Sequence, residues 1–231
     1  MTTPNINMDV KRTEFYEGYR REFENRLTQG QVDSYEAIFN EFDIYEDSAL
    51  KAPAPYNRRD VLKWHLAYIL ATTYREVGPT MLPLREGPAS RILKGELVSD
   101  EEARRHVAWM ARTGFVSRDY AKPDPETGKS YYGRGWPQTT HRGNYLRAGQ
   151  MLGVGDLFVW NPDLLLEREW AAKVLVFGME KGIFTGHGLF RYLNSTTKNY
   201  REARRIINGL ESADVVARLA ERFEKCLKES I

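Results

Sequence analysis

The chain of 231 residues carries 34 Lys+Arg against 32 Asp+Glu, a formal charge of +2. That near balance excludes a nucleic-acid binder that works through bulk positive charge, and 42% hydrophobic with 29% charged residues excludes wholesale disorder. A single cysteine, Cys226, excludes an internal disulfide and any site built on two or more cysteines.

The chain opens MTTPNINMDVKRTEFYEG, without an apolar h-region, so no secretory signal is expected and a reducing cytoplasm suits its synthesis. No run of about 18 apolar residues follows, so no membrane span is expected. Residues 12–27 and 31–46 place Phe15, Tyr19, Phe23 and then Val32, Tyr35, Ile38, Phe39 and Phe42 at helical spacing. Residues 31–50 hold Asp33, Glu36, Glu41, Asp43, Glu46 and Asp47 without a Lys or Arg, which reads as a solvated acidic face. After Asn57, RRDVLKWHLAYILATTYREV is apolar on nearly every side, as a helix buried in the middle of a domain would be, with His65 as a core histidine.

Ser99 and Glu102 form a capping-box pattern ahead of a helix over EEARRHVAWMART. Between about 115 and 137 the pattern breaks: FVSRDY, the turn KPDPETGK and SYYGRG predict a small hairpin. Asp163 is expected to cap LLLEREWAAKVLVFGMEK, which Gly182 would close. NYREARRIIN ends at Gly209, and ADVVARLAERFEKCLKE is predicted to turn Val215, Leu219, Phe223 and Leu227 inward. The expectation is about seven helices and a minor β element in one α-dominated domain spanning 1–231, with helices 12–50 packed on a core at 57–229.

The four histidines form neither HExxH nor HxH, and no GxSxG, Walker A or GxGxxG pattern occurs. Carboxylates remain. Glu76 ends the buried helix before Gly78-Pro79, and Glu86 follows ten residues later. On a continuous helix they would stand about 15 Å apart, but the Gly-Pro break and Pro83 let the chain turn back. Inverting glycoside hydrolysis uses two carboxyl groups about 6.5–9.5 Å apart. The same spacing also fits two ordinary surface or paired glutamates. The segment YYGRGWPQTTHRGNY (131–145) adds rings that stack on sugars and amides that bond hydroxyl and N-acetyl groups, or else a structural Gly-rich loop. Residues 127–155 carry Lys129, Arg134, Arg142 and Arg147 and no carboxylate, which reads as a basic surface.

The helix-end glutamate, the TMLPLRE segment and the YYGRGWPQTTHRGNY loop together resemble glycoside hydrolase family 19, and within it the phage-type endolysins more than the plant chitinases. LTQGQVDSYEAIF (27–39), NPDLLLEREWAAKVLVFGMEKGIFTGHGL (161–189) and YREARRIING (200–209) extend the resemblance over about residues 12–225. It implies a mainly α, lysozyme-like two-lobed fold with a small β-hairpin. It implies cleavage of β-1,4 links between N-acetylated amino sugars with inversion, without metal or organic cofactor. Carried over by position, Glu76 matches the general acid and Glu86 the carboxylate that activates water. Thr140 matches a Ser/Thr that holds that water. Gln138 and Asn144 match sugar-contacting amides, Tyr132, Arg134 and Tyr145 belong to the same loop, and Asn208 matches the Asn of an IING element.

The chain departs from the family pattern at four places: Arg75 stands for His, Val77 for Thr or Ser, Thr139 for Leu and Leu82 for Gln. Arg75 would lower the pKa of Glu76 only by reaching it, and adjacent helix positions point about 100° apart. The leading expectation is a monomeric muramidase or glucosaminidase of endolysin type. It would bind peptidoglycan glycan strands, with no nucleic-acid partner and no stable membrane insertion. Made in a host cytoplasm, it would be released by a holin-type pore to act on the cell wall or periplasm. Two further readings stand beside it: a chitinase on chitin or chito-oligosaccharides, and a catalytically weak glycan-binding component of a phage tail or injection particle.

Overall fold

The computed structural model describes residues 12–53, 57–117 and 119–227, so the last two residues of the expected closing helix, 228–229, lie outside it. In chain order the elements are α1 (Arg12–Phe23), α2 (Gln29–Leu50), α3 (Arg59–Val77), β1 (Leu84–Arg85), α4 (Ala89–Ile92) and α5 (Asp100–Arg112). Then follow β2 (Arg134–Gly135), α6 (Arg142–Met151), α7 (Leu157–Trp160), a 3-10 turn (Pro162–Leu166) and α8 (Arg168–Lys181). β3 (Leu193–Asn194), β4 (Thr197–Lys198), α9 (Tyr200–Ala203) and α10 (Ala213–Cys226) complete the order. The fold is mainly α, a two-lobed, lysozyme-like helical arrangement with two small antiparallel β pairs. No described helix is long and apolar enough to cross a membrane.

The larger lobe is built on aromatic side chains at helical spacing. Phe15 and Tyr19, one turn apart on α1, meet Phe39 and Tyr35 of α2; the Phe15 and Phe39 rings sit edge-on at 4.8 Å. The first predicted helix stops at Phe23, and Glu24 takes a φ of +50°. The second starts before residue 31, because Thr28 and Gln31 make a capping box: Gln31 N–H donates to Thr28 Oγ1 at 3.3 Å and Thr28 N–H to Gln31 Oε1 at 2.7 Å. α3 runs through the centre as its all-round apolarity requires, with Leu62, Leu66, Tyr68, Ile69 and Leu70 fully buried. His65 is the expected core histidine. Its Nε2–H donates to the Leu193 carbonyl at 2.8 Å, and its Nδ1 accepts from Tyr45 at 2.8 Å. Burial pushes its pKa down to about 4.

α10 packs along α3 and α1, but its inward stripe is Val216, Ala220, Phe223 and Leu227. Val215, predicted inward, is 41% exposed, because the buried row begins one residue later and keeps the i, i+4, i+7 spacing from there. The acidic stretch on α2 is also not simply a solvated face. Glu41 and Glu46 are buried, Glu41 with Lys173 of α8 at 3.7 Å. Tertiary packing, against α8 in the case of Glu41, takes those two carboxyls out of water, which periodicity of charge alone does not reveal.

The smaller lobe has two apolar clusters. One joins Tyr131, Tyr145, Ala148, Phe158 and Leu165; the other joins Val98, Ala103, Val107, Ala121 and Tyr132. The capping box at Ser99 forms as predicted, with Glu102 N–H donating to Ser99 Oγ at 3.2 Å and Ser99 N–H to Glu102 Oε2 at 2.8 Å. Among the described residues, the hairpin predicted within 115–137 does not form. Its 134–135 strand pairs instead with 84–85, in register Leu84↔Gly135 and Arg85↔Arg134, while the KPDPETGK segment closes a separate turn through Asp124 N–H to the Lys129 carbonyl at 2.8 Å. Asp163 caps no helix. Arg85 and Arg134 claim its two oxygens at 2.6 and 2.7 Å, and a 3-10 turn precedes α8, which Gly182 ends in the left-handed region as expected.

Candidate functional site

α3 carries Glu76 in its last turn, and Gly78, at φ +74°, ends the helix there. The chain then reverses under three ties. Gln31 Nε2 donates to the Pro79 carbonyl at 2.7 Å, Met81 adopts φ +57°, and Trp136 Nε1 donates to the Met81 carbonyl at 2.7 Å. The β1–β2 register that follows brings Glu86 beside Gly133: Glu86 N–H donates to the Gly133 carbonyl at 2.7 Å, and Gly133 N–H to Glu86 Oε2 at 2.8 Å. The other carboxylate oxygen, Oε1, accepts from the Tyr120 hydroxyl. A Cβ at Gly133 would stand 2.7 Å from Gln138 Oε1 and 3.2 Å from Glu86 Oε2, so any larger residue there has to push the Gln138 amide aside.

Between the lobes lies a cleft of about 470 Å³, lined by Glu76, Tyr120, Pro137 to His141, Asn144, Phe184, Ile207 and Asn208. It therefore gathers Glu76, Gln138, Thr140, Asn144 and Asn208 from the residues singled out by sequence. Glu86 is set one step back; the ring that meets the cleft is that of its partner Tyr120. Gln138 sits at φ +50° and spends its amide nitrogen on its own loop, donating to the Leu84 and Gly135 carbonyls at 3.1 and 2.8 Å. Thr140 Oγ1 donates to the Gln138 carbonyl at 2.9 Å, which leaves its oxygen free to accept. Asn144 Nδ2 donates to the Thr140 carbonyl at 2.7 Å. Asn208 Oδ1 accepts from Gly209 N–H at 2.8 Å.

Tyr132, Arg134 and Tyr145, expected to touch sugar, do not line this cleft. All three are buried. Arg134 is 2% exposed and forms the hub beneath the loop. It donates to Asp163 at 2.7 Å, to the Ser130 carbonyl at 2.8 Å and to Tyr145 at 3.1 Å, and its guanidinium lies 3.8 Å from the Tyr132 ring centroid. Burial opposes its charge, but the Tyr145, Tyr132 and Asp163 oxygens raise its pKa further. Tyr132 donates to Asp100 at 2.7 Å and Tyr145 to the Tyr132 carbonyl at 2.6 Å. Such dense pairing holds the loop in shape. The basic surface expected over 127–155 is reduced accordingly, for Arg142 also pairs with Glu126 at 2.7 Å. A second cavity of about 500 Å³ adjoins Asp100, Lys129, Arg134 and Asp163, but its charges are largely paired among themselves and neither Glu76 nor Glu86 reaches it.

Three residues of the site were missed. Arg204, buried after α9, places Nη1 2.7 Å from Glu76 Oε1; the contact is an ion pair rather than a well-aligned hydrogen bond. Arg75 turns away and donates to Ser212 Oγ at 3.0 Å. Tyr120 and His141 stand edge-on at 5.2 Å, with His141 at φ +70°. The signal for Arg204 was present but weak: it lies between Ala203 and Ile206, both fully buried, in a stretch that otherwise reads as surface arginines. Tyr120 carried none, because its partner is 34 residues upstream.

No family model matches the chain, and no solved structure matches it. Two plant proteins match locally. The acidic 26 kDa endochitinase of Solanum lycopersicum is 58% identical over 40 residues, 17% of this chain and 16% of the relative. The acidic endochitinase pcht28 of Solanum chilense is 63% identical over 35 residues, 15% of this chain and 14% of the relative. The matched stretch thus spans about a sixth of those relatives' own length. The chain has a chitinase- and lysozyme-like helical fold with local similarity to plant endochitinases. This corrects the leading expectation: both relatives are named endochitinases and come from plants, so an endolysin acting on peptidoglycan, its phage setting and its release through a pore lose their support to the chitin reading.

Proposed function

We propose that the chain is a glycosidase that hydrolyses β-1,4 links between N-acetylglucosamine units of chitin or chito-oligosaccharides. The observation that carries this is the cleft, where a helix-end carboxyl, Glu76, faces a loop of amide and hydroxyl groups anchored to a second carboxyl, Glu86. The local likeness to proteins named endochitinases favours chitin as the polymer.

In this reading Glu76 donates its proton to the departing glycosidic oxygen. Arg204 then supplies the countercharge for the carboxylate that remains. Glu86 accepts one hydrogen bond on each oxygen and keeps lone pairs for the proton of an attacking water, which Thr140 helps to hold. The water adds to the anomeric carbon on the face opposite the leaving oxygen, giving inversion. Asn144 and Asn208 offer amides to hydroxyl and N-acetyl groups. Chromatography of products from chitohexaose tests this: the wild-type chain releases shorter oligosaccharides, and Glu76→Gln lowers turnover by about 10²–10⁴-fold, because an amide cannot supply this proton. Unchanged turnover in Glu76→Gln would remove the reading.

A further inference from the structure

Glu86 does not line the cleft, but Tyr120 does, and the Tyr120 hydroxyl donates to Glu86 Oε1. The second carboxylate oxygen is taken by Gly133 N–H at 2.8 Å, so the carboxylate is clamped from both ends and does not swing freely toward the cleft. On the cleft side, the His141 ring meets Tyr120 edge-on at 5.2 Å, and Thr140, next to His141 in sequence, lines the same space. Of the cleft-lining residues, the one bonded to Glu86 is therefore the tyrosine.

We infer that Tyr120 is a catalytic residue of the proposed hydrolysis, relaying the proton of the attacking water to Glu86. The inference rests on the glycosidase reading and deepens it. As the water oxygen bonds to the anomeric carbon, one of its O–H bonds breaks and the proton passes to the Tyr120 oxygen. In the same step the Tyr120 O–H bond breaks and its proton passes to Glu86 Oε1. The bond from the anomeric carbon to the glycosidic oxygen breaks, and Glu76 protonates that oxygen. Tyr120 ends as it began, Glu86 has gained one proton and Glu76 has lost one, so the sum is the addition of one water across the link. The phenol must be protonated at rest for this. Burial, reinforced by the Glu86 charge and hydrogen bond, holds its pKa well above the ordinary tyrosine value.

Counting the Glu76 proton, a relay moves three protons in the hydrolytic step, and direct transfer to Glu86 moves two. The test is chitohexaose hydrolysis in H₂O–D₂O mixtures by wild type, Tyr120→Phe and Glu76→Gln, with thermal melts to confirm folding. Phenylalanine keeps the ring against His141 and removes only the hydroxyl. The expected result is a curved dependence of kcat on deuterium fraction for wild type. Tyr120→Phe should show a distinctly weaker curvature, that of two protons instead of three, and a kcat lowered by about 100-fold at nearly unchanged KM. Wild-type kcat in Tyr120→Phe overturns the relay and leaves the glycosidase reading standing if Glu76→Gln is impaired. A lowered kcat with the curvature undiminished from wild type also overturns it, making Tyr120 a packing residue. No turnover by the wild-type chain overturns the glycosidase reading, and the relay with it.

Discussion

The central helix α3 and the loop at 131–139 are both largely buried, yet they are held by different forces. Around α3 the contacts are apolar and numerous: Leu62, Leu66, Ile69 and Leu70 pack among Phe39, Phe42, Leu175 and Val176. Each such contact is weak and non-directional, so a neighbour's small shift is absorbed by repacking. The loop is held by a few directed bonds through Arg134, Gly133, Trp136 and Gln138, each with one partner at one place. The first arrangement builds a stable body. The second fixes the position of Glu86 and the cleft wall, and it tolerates little change.

That difference is put to the test most severely at Gly133. Alanine there would set a methyl 2.7 Å from Gln138 Oε1 and 3.2 Å from Glu86 Oε2. The crowding must displace Gln138, whose amide ties the loop to Leu84 and Gly135, and with it Glu86. A misplacement of about 1 Å at a reacting group costs on the order of 100-fold in rate. Gly133→Ala should therefore lose about that much in kcat on chitohexaose while melting within a few degrees of wild type. Near-normal kcat would mean that the loop is as forgiving as the helical core.

The counterpart in the helical lobe is Gly18 of α1, where the α10 backbone passes close enough that a Cβ would stand 2.9 Å from Cys226 Cα and 3.1 Å from its carbonyl oxygen. The obstacle is backbone, which cannot rotate aside, so α1 and α10 must separate. Overpacking of this kind destabilises by about 1–3 kcal/mol. Gly18→Ala should lower the urea midpoint accordingly and leave kcat of the surviving folded protein unchanged. A loss of activity without loss of stability would erase the distinction between the two regions.

How much of each region could be read in the sequence follows from the same contrast. Helices announce themselves through spacing, and caps such as Ser99 and Glu102 act within four residues, so α2, α3 and α5 were legible to within a few positions. The loop's partners are remote. β2 finds β1 some fifty residues upstream instead of folding on the nearby FVSRDY segment, and Asp163 is drawn from a helix cap to Arg85 and Arg134. Residue type alone suggested that Tyr132, Arg134 and Tyr145 would meet sugar, but the same polar atoms serve equally well to bind the loop to itself. Arg204 shows the reverse case: a charge that looks solvated becomes the buried partner of Glu76 once α9 packs beside α3.

The smallest effect concerns the acidic face of α2. Glu46 is 3% exposed, its Oε1 has no hydrogen-bond partner, and burial, with the nearby Asp43 charge, pushes its pKa up to about 8. In the unfolded chain the same group titrates near 4.3. Between those values the folded state keeps a proton that the unfolded state has released. The resulting stabilisation is full below the unfolded value and is lost progressively as pH rises to about 8. Melting temperature should therefore fall more steeply between pH 5 and pH 8 in the wild type than in Glu46→Gln, whose neutral amide fits the site at every pH, by on the order of a few degrees. His65 works in the opposite sense at the acid side. With its pKa held down to about 4, stability is full above the ordinary histidine value and is lost as pH falls toward 4, in wild type and Glu46→Gln alike. Parallel melting curves for the two proteins across pH 5 to 8 would return Glu46 to the solvated face that its sequence context suggests, and would confine buried polar strain to the cleft loop.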